Sequence, residues 1–127
     1  MHKSRLAGFI IDCKTDDLES AAAFWSAALG YPQKTSDDPV DANYKLLKTP
    51  DDEVHIEVQQ VEHDSRVHLD IETDNIEAEV ARLEKLGATI VKQVRTWCVM
   101  QAPTGQRFCV VSAARRDFEK KANRWKS

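Results

Sequence analysis

The chain has 127 residues, 42% hydrophobic and 31% charged, with a formal net charge of −3. That length suits one compact domain, and that balance excludes a disordered or membrane-embedded chain. No apolar run approaches the roughly 20 residues of a spanning helix.

In chain order, "RLAGFIIDC" is a short apolar run rich in strand formers. Asp12 interrupts it and no small-residue cleavage site follows, so a first strand is expected rather than a signal peptide. "KTDDLE" then offers Thr15 or Asp16 as a helix cap, with Glu19 three residues after Asp16. Leu18, Ala22, Trp25 and Leu29 recur at helical spacing, and Gly30 ends the helix. Three strands are expected next, "YPQKTS", "NYKLLK" and "EVHIEVQQV", separated by the polar turns "DDPVDA" and "TPDD". The second half follows the same order. "RVHLDIET" is a strand, Asp74 caps a helix whose Ile76, Val80 and Leu83 face inward, and Gly87 closes it. "ATIVKQV", "TWCVMQA" and "QRFCVVS" follow, the last two joined by the turn "PTG".

The closing segment "AARRDFEKKANRWKS" carries six basic residues against two acidic ones. Phe118, Ala122 and Trp125 fall on one helical stripe, which predicts a basic amphipathic helix over about 113–126, docked on the body or on a dimer mate. No recognition motif accompanies the charge, so neither nucleic acid nor a membrane is an expected partner. The cysteines Cys13, Cys98 and Cys109 are an odd number without paired spacing, which points to free thiols in a reducing, cytoplasmic setting. Cys98 and Cys109, on the two arms of the last hairpin, are cross-strand candidates for a redox pair.

The two halves share more than order. At an offset of 58 residues, Asp12 meets Asp70, Thr15 meets Thr73, Asp16 meets Asp74, Leu18 meets Ile76 and Glu19 meets Glu77, while Ile10 meets His68. The pattern predicts an α+β fold of two tandem βαβββ modules in a single domain over 1–127. Module one spans about 5–62 and module two about 65–112, together forming a curved, cup-like mixed sheet.

The duplicated unit, the phrases "LESAAAFWSAALGYP" and "HLDIETDNIEAEVARLEKLGA", and the closing "APTGQRFCVV" resemble the vicinal oxygen chelate superfamily. That is the glyoxalase, bleomycin-resistance and extradiol-dioxygenase group, and the small glyoxalase-like branch is the nearest in flavour. The resemblance covers about residues 5–112. It implies the glyoxalase/bleomycin resistance/dihydroxybiphenyl dioxygenase fold and a homodimer. It also implies one divalent metal at the centre of the cup, held by His and Glu from the first and last strands of each unit. Such a metal polarises a carbonyl or stabilises an enediolate.

Carried over residue by residue, the ligand pattern is thin. His68 matches the first-strand position of module two. Ile10 stands at its counterpart in module one, and a shift of two residues reaches Gly8; neither offers a ligand. The glutamate expected four residues after Gly105 is Cys109. On "VHIEVQQV", alternation puts His55, Glu57 and Gln59 on one face, and the remaining position falls on Glu57 or Gln59.

The expectation is therefore a cup that binds a small organic molecule without a catalytic metal, lined by Glu57, Gln59, His68, Trp97 and Cys109. His68 would be the polar anchor or a proton donor, with Glu57 as its partner or a general base. Trp97, on the penultimate strand, would supply an aromatic wall. The alternative is a lyase or isomerase (lactoylglutathione lyase-like) or a dioxygenase that holds one divalent metal such as zinc on Glu57, His68 and Cys109. Drug sequestration, as in the bleomycin-resistance members, and a bland interaction module are further expectations. No phosphate-cradling glycine loop, serine nucleophile elbow or paired-cysteine zinc knuckle is present.

Overall fold

In the computed structural model, which describes residues 1–34, 42–115 and 117–126, the first apolar run lies within a 13-residue strand, β1 (His2–Lys14). The chain divides into two compact units: residues 8–67, and residues 1–7 together with 68–127. The first six residues of β1 thus belong with the second half of the sequence, a division that the expected module boundaries of about 5–62 and 65–112 do not contain. The chain is α+β, and among the described residues no helix is long and apolar enough to cross a membrane.

The unit of residues 8–67 contains the rest of β1, then α1 (Leu18–Leu29), β2 (Tyr44–Leu47) and β3 (His55–Val61). β1 runs parallel to β3, and β3 pairs antiparallel with β2. A parallel pair needs a crossover, and α1 supplies it. The cap of α1 is Asp17, one residue beyond the expected Asp16. Its carboxylate accepts from the Ser20 N–H at 3.2 Å and from the Ser20 hydroxyl at 2.7 Å. Caps of this kind contribute about 1 kcal/mol. Gly30 ends the helix at φ 78°, where its N–H donates to the Ser26 carbonyl. Leu18 and Ala22 bury against Leu47 and Val58, with Trp25 and Ile56 at the margin. Of the expected strand "YPQKTS", the described residues 31–34 show a single bridge, Gln33 to Leu47. Pro32 has no N–H to donate, and its carbonyl accepts from Lys48 instead. Thr35, Ser36 and most of "DDPVDA" lie outside the described residues.

The other unit is a full βαβββ module: β4 (Arg66–Thr73), α2 (Ile76–Lys85), β5 (Thr89–Val94), β6 (Trp97–Gln101) and β7 (Arg107–Ser112). The strand order is β4-β7-β6-β5, with β4 parallel to β7 and the others antiparallel. Asn75, not Asp74, caps α2 by accepting from the Ala78 N–H at 3.0 Å. The Asp74 carboxylate is diverted to the Lys3 N–H at 2.8 Å. Asp17 and Asn75 are themselves 58 residues apart, so the duplication carries the caps one position later than expected. Val80, Leu83 and Ala88 pack on Cys98, Met100, Phe108 and Val110. Each large apolar side chain buried there contributes about 1.5–3 kcal/mol.

The expected helix over about 113–126 is corrected. The tail forms a four-residue helix, α3 (Phe118–Lys121), and then a strand, β8 (Asn123–Trp125), antiparallel to the start of β1. Ala122 turns extended between them. Trp125 explains the choice: its indole N–H donates to Ser4 Oγ at 2.8 Å, and the Arg82 guanidinium lies 3.9 Å from its ring centre. A continuous helix would forfeit those partners and the ladder to β1. Phe118 is buried, with the Arg5 guanidinium over its ring.

Under β8 lies a polar cluster that ties β1, α2 and the tail together. Glu79 is fully buried. It meets His2 Nε2 at 2.8 Å, and accepts from Arg82 Nε and Nη2 at 2.8 Å each. Burial pushes the Glu79 carboxyl up, but hydrogen bonds from Arg82, His2 and Ser4 outweigh it and hold the group below its ordinary value.

Candidate functional site

Strand alternation sorts the side chains of the second unit into two faces. Cys98 and Met100 on β6, Phe108 and Val110 on β7, and Ile71 on β4 pack toward α2. Trp97, Val99 and Gln101, then Arg107, Cys109 and Val111, then His68, Asp70 and Glu72, therefore occupy the face away from α2. The registers fix their order. Cys109 pairs with Asp70 on one side and Val99 on the other, and Gln101 pairs with Arg107.

At the centre of this face, His68, Asp70 and Cys109 each bring one polar atom, all within 4.8 Å of one another. His68 Nε2 lies 3.7 Å from Asp70 Oδ1, and both side chains are largely shielded, at 14% and 12% exposure. The carboxylate so placed orients the imidazole ring on this face. Glu72, two residues along, is structural. Arg5 Nε donates to it at 2.7 Å and the Ala114 N–H at 3.3 Å. Arg5 also donates to Asp117 at 2.6 Å, which drives the Asp117 carboxyl down to about 2.

Cys98 and Cys109 do not form a redox pair. Their cross-strand partners are Val110 and Val99 respectively, and their side chains lie on opposite faces, where no disulfide geometry can be met. Burial raises the Cys98 thiol further from reactivity.

The unit of residues 8–67 repeats the arrangement with different chemistry. Val58 and Ile56 face α1, so His55, Glu57 and Gln59 occupy the other face of β3. In the β1–β3 register Ile10 pairs with Glu57 and Asp12 with Gln59. Asp12 is the duplicate of Asp70, and Asp70 pairs with Cys109, so Gln59 is the internal counterpart of Cys109. By the same register Glu57 is the internal counterpart of Arg107.

The family profile described as a glyoxalase-like domain matches residues 8–111. The chain belongs to the glyoxalase-like domain family. No curated protein sequence matches it. Among solved structures, a methylmalonyl-CoA epimerase in complex with methylmalonyl-CoA and NH4+ aligns with a TM-score of 0.64 at 16% identity, over 90% of this chain and 98% of that one. The methylmalonyl-CoA epimerase from Mycobacterium tuberculosis gives 0.63 at 16%, over 86% and 87%. The Mn(II)-bound glyoxalase from Novosphingobium aromaticivorans gives 0.60 at 18%, over 92% of this chain and 43% of that one. These likenesses show the fold alone, and together with the family match they agree with the expected vicinal oxygen chelate resemblance.

The metal that this fold implies can be tested against the donors present. A four-ligand set built from both units would need donors at Ile10 and Gln59. The first is a buried hydrocarbon with no donor atom, and the second a neutral amide that brings an oxygen but no charge. The family set of this glyoxalase-like chain therefore does not fit. Within the second unit by itself, His68, Asp70 and Cys109 form one donor group, in which the third donor is Asp70; Glu57 lies in the other unit. Asp70 was legible as a member of the repeat, an acid kept at both copies of one strand position, but sequence reasoning gave it no role. Arg107, Gln101 and Val99 carried no signal beyond alternation.

Proposed function

We propose that this glyoxalase-like protein binds a small organic molecule on the face of the second unit away from α2, and that the metal chemistry of the fold has been lost. One observation carries the reading: the internal registers put Ile10 and Gln59 where the second unit has His68 and Cys109. His68 is the polar anchor and proton donor, aligned by Asp70. Cys109 forms the floor, and Trp97 stands as an aromatic wall at one end of β6. Glu57 and Gln59 occupy the face of β3 away from α1 in the other unit, where Glu57 is the candidate general base. Small organic substrates and ligands named for the structural neighbours, methylmalonyl-CoA among them, support a ligand of that size class.

A second reading is favoured by the compact donor group: a divalent metal such as zinc held by His68, Asp70 and Cys109, all zinc-ligand types. Elemental analysis separates the two. Tag-free protein is incubated with zinc, nickel, manganese or ferrous iron, desalted and assayed, beside a thermal-shift screen of small organic molecules. The first reading expects no stoichiometric metal, and ligands whose stabilisation weakens about tenfold in apparent Kd in His68→Ala. Near one equivalent of metal, lost in both His68→Ala and Cys109→Ser, overturns it in favour of the second.

A further inference from the structure

We infer that the ligand of this face is an anion, a carboxylate carried on an apolar or aromatic body, and that Arg107 is the residue that selects it. The inference rests on the binding reading above and adds the chemical class.

The observation is an imbalance of charge. Arg95 and Arg124 of this unit are exposed, and the half-buried Arg5, Arg82 and Arg115 are each matched with a carboxylate: Arg5 with Glu72 and Asp117, Arg82 with Glu79, and Arg115 with Glu72 at 3.9 Å. Arg107 is not matched in this way among the described residues. Its Nε donates to the Gln101 side-chain oxygen at 3.0 Å, a neutral amide that orients the guanidinium without neutralising it. Arg107 is half-buried, where a guanidinium charge is less screened than in open water. Holding Nε on Gln101 leaves the terminal nitrogens, with their N–H groups in a fixed plane, to meet a carboxylate.

The neighbours define the rest of the ligand. Leu69 pairs with Phe108, so one step back along the same register His68 stands beside Arg107 and adds a second donor. Beyond them β6 and β7 turn apolar, with Asp70 and Glu72 alongside on β4. Val99 and Cys109 form the next pair, and Val111 and Trp97 follow. From Gln101 to Trp97 is four residues, or roughly 13 Å of strand. Such a strip takes an acid group at the Arg107 end and a flat apolar body of one or two rings along it. Asp70, on the adjacent strand, lies 3.7 Å from His68 Nε2 and sets the inner limit of the anion subsite.

The test uses the full chain, labelled with nitrogen-15 and titrated with 2-naphthoate and with its neutral isostere 2-naphthamide. The resonances followed are the Arg107 Nε–H and the backbone amides of Val99, Gln101 and Cys109. The acid is expected to bind roughly tenfold more tightly than the amide and to shift the Arg107 Nε–H. Arg107→Gln is expected to erase that preference while the amide still shifts Val99 and Cys109. Arg107→Lys is expected to keep part of it. Equal affinity for acid and amide, or a preference unchanged in Arg107→Gln, overturns the anion inference and leaves the small-molecule reading standing. No shift on this face with either compound overturns both.

Discussion

Glu79→Ala is expected to lower the free energy of unfolding by about 3 kcal/mol or more, read as a lower urea midpoint at unchanged slope. Glu79 is fully buried and takes three hydrogen bonds at 2.8 Å, from His2 and twice from Arg82. Removing the carboxylate strands a buried histidine and a largely shielded guanidinium, so the effect exceeds that of a surface ion pair, which is worth about 1 kcal/mol at most. It would also loosen the end of the chain. Arg82 positions its guanidinium between Glu79 and the Trp125 ring, and Trp125 holds β8 through Ser4. Glu79→Gln keeps an acceptor and loses the charge, so an intermediate loss is expected. A change of only a few tenths of a kcal/mol in Glu79→Ala would mean that His2 and Arg82 find water, and the cluster would not hold the fold.

Two carboxylates of this unit, one in that cluster and one beside Arg5, set an acid limit. Glu79 and Asp117 both lie below their ordinary values in the folded chain, Asp117 at about 2. A carboxyl depressed on folding binds fewer protons folded than unfolded, so stability falls as pH drops. The contribution is fully present above the ordinary carboxylate range, about pH 4–5. It is lost as pH falls through the lowered values. Urea midpoints measured between pH 6 and pH 2 should decline steadily, and Asp117→Asn should flatten the lower part of that curve. A curve unchanged by the substitution would show that Arg5 does not depend on Asp117.

The sequence carried what depends on local period. The two strand–helix modules, the inward residues Leu18, Ala22, Val80 and Leu83, and the helix stop at Gly30 all follow from alternation, helical spacing and a left-handed residue. It misplaced what depends on distant partners. Asp74 reads as a cap until Lys3, 71 positions away, takes its carboxylate. The tail reads as a helix until Trp125 meets Ser4, 121 positions away, and Arg82. The site divides in the same way. His68 and Cys109 were singled out because the repeat and, through the family resemblance, the Gly105 spacing mark their positions. Matching Gln59 to Cys109 and Glu57 to Arg107 needed the β1–β3 register, which no spacing encodes, and Arg107 gains meaning only beside Gln101 and among arginines that are already matched.

Gly8→Ala is expected to destabilise the protein by about 3 kcal/mol, although Gly to Ala in an ordinary strand position is neutral or stabilising. A Cβ on Gly8 would stand 2.1 Å from the His55 carbonyl oxygen and 2.4 Å from His55 Cδ2. The ring contact can be relieved by a rotamer change; the carbonyl contact cannot, because Gly8 and His55 are partners in the β1–β3 pair. The two strands must part at that step. The pairs that follow, Ile10 with Glu57 and Asp12 with Gln59, would lose register or spacing with it. His55→Ala separates the two contacts: combined with Gly8→Ala it removes the ring clash alone, so only partial recovery of the urea midpoint is expected. Full recovery would place the strain in the imidazole, and a Gly8→Ala protein as stable as the parent would mean that β1 and β3 yield at little cost. Either way the glycine has a packing reason of its own. Two residues before Ile10 on the first strand, the space that a ligating side chain would need is taken by His55.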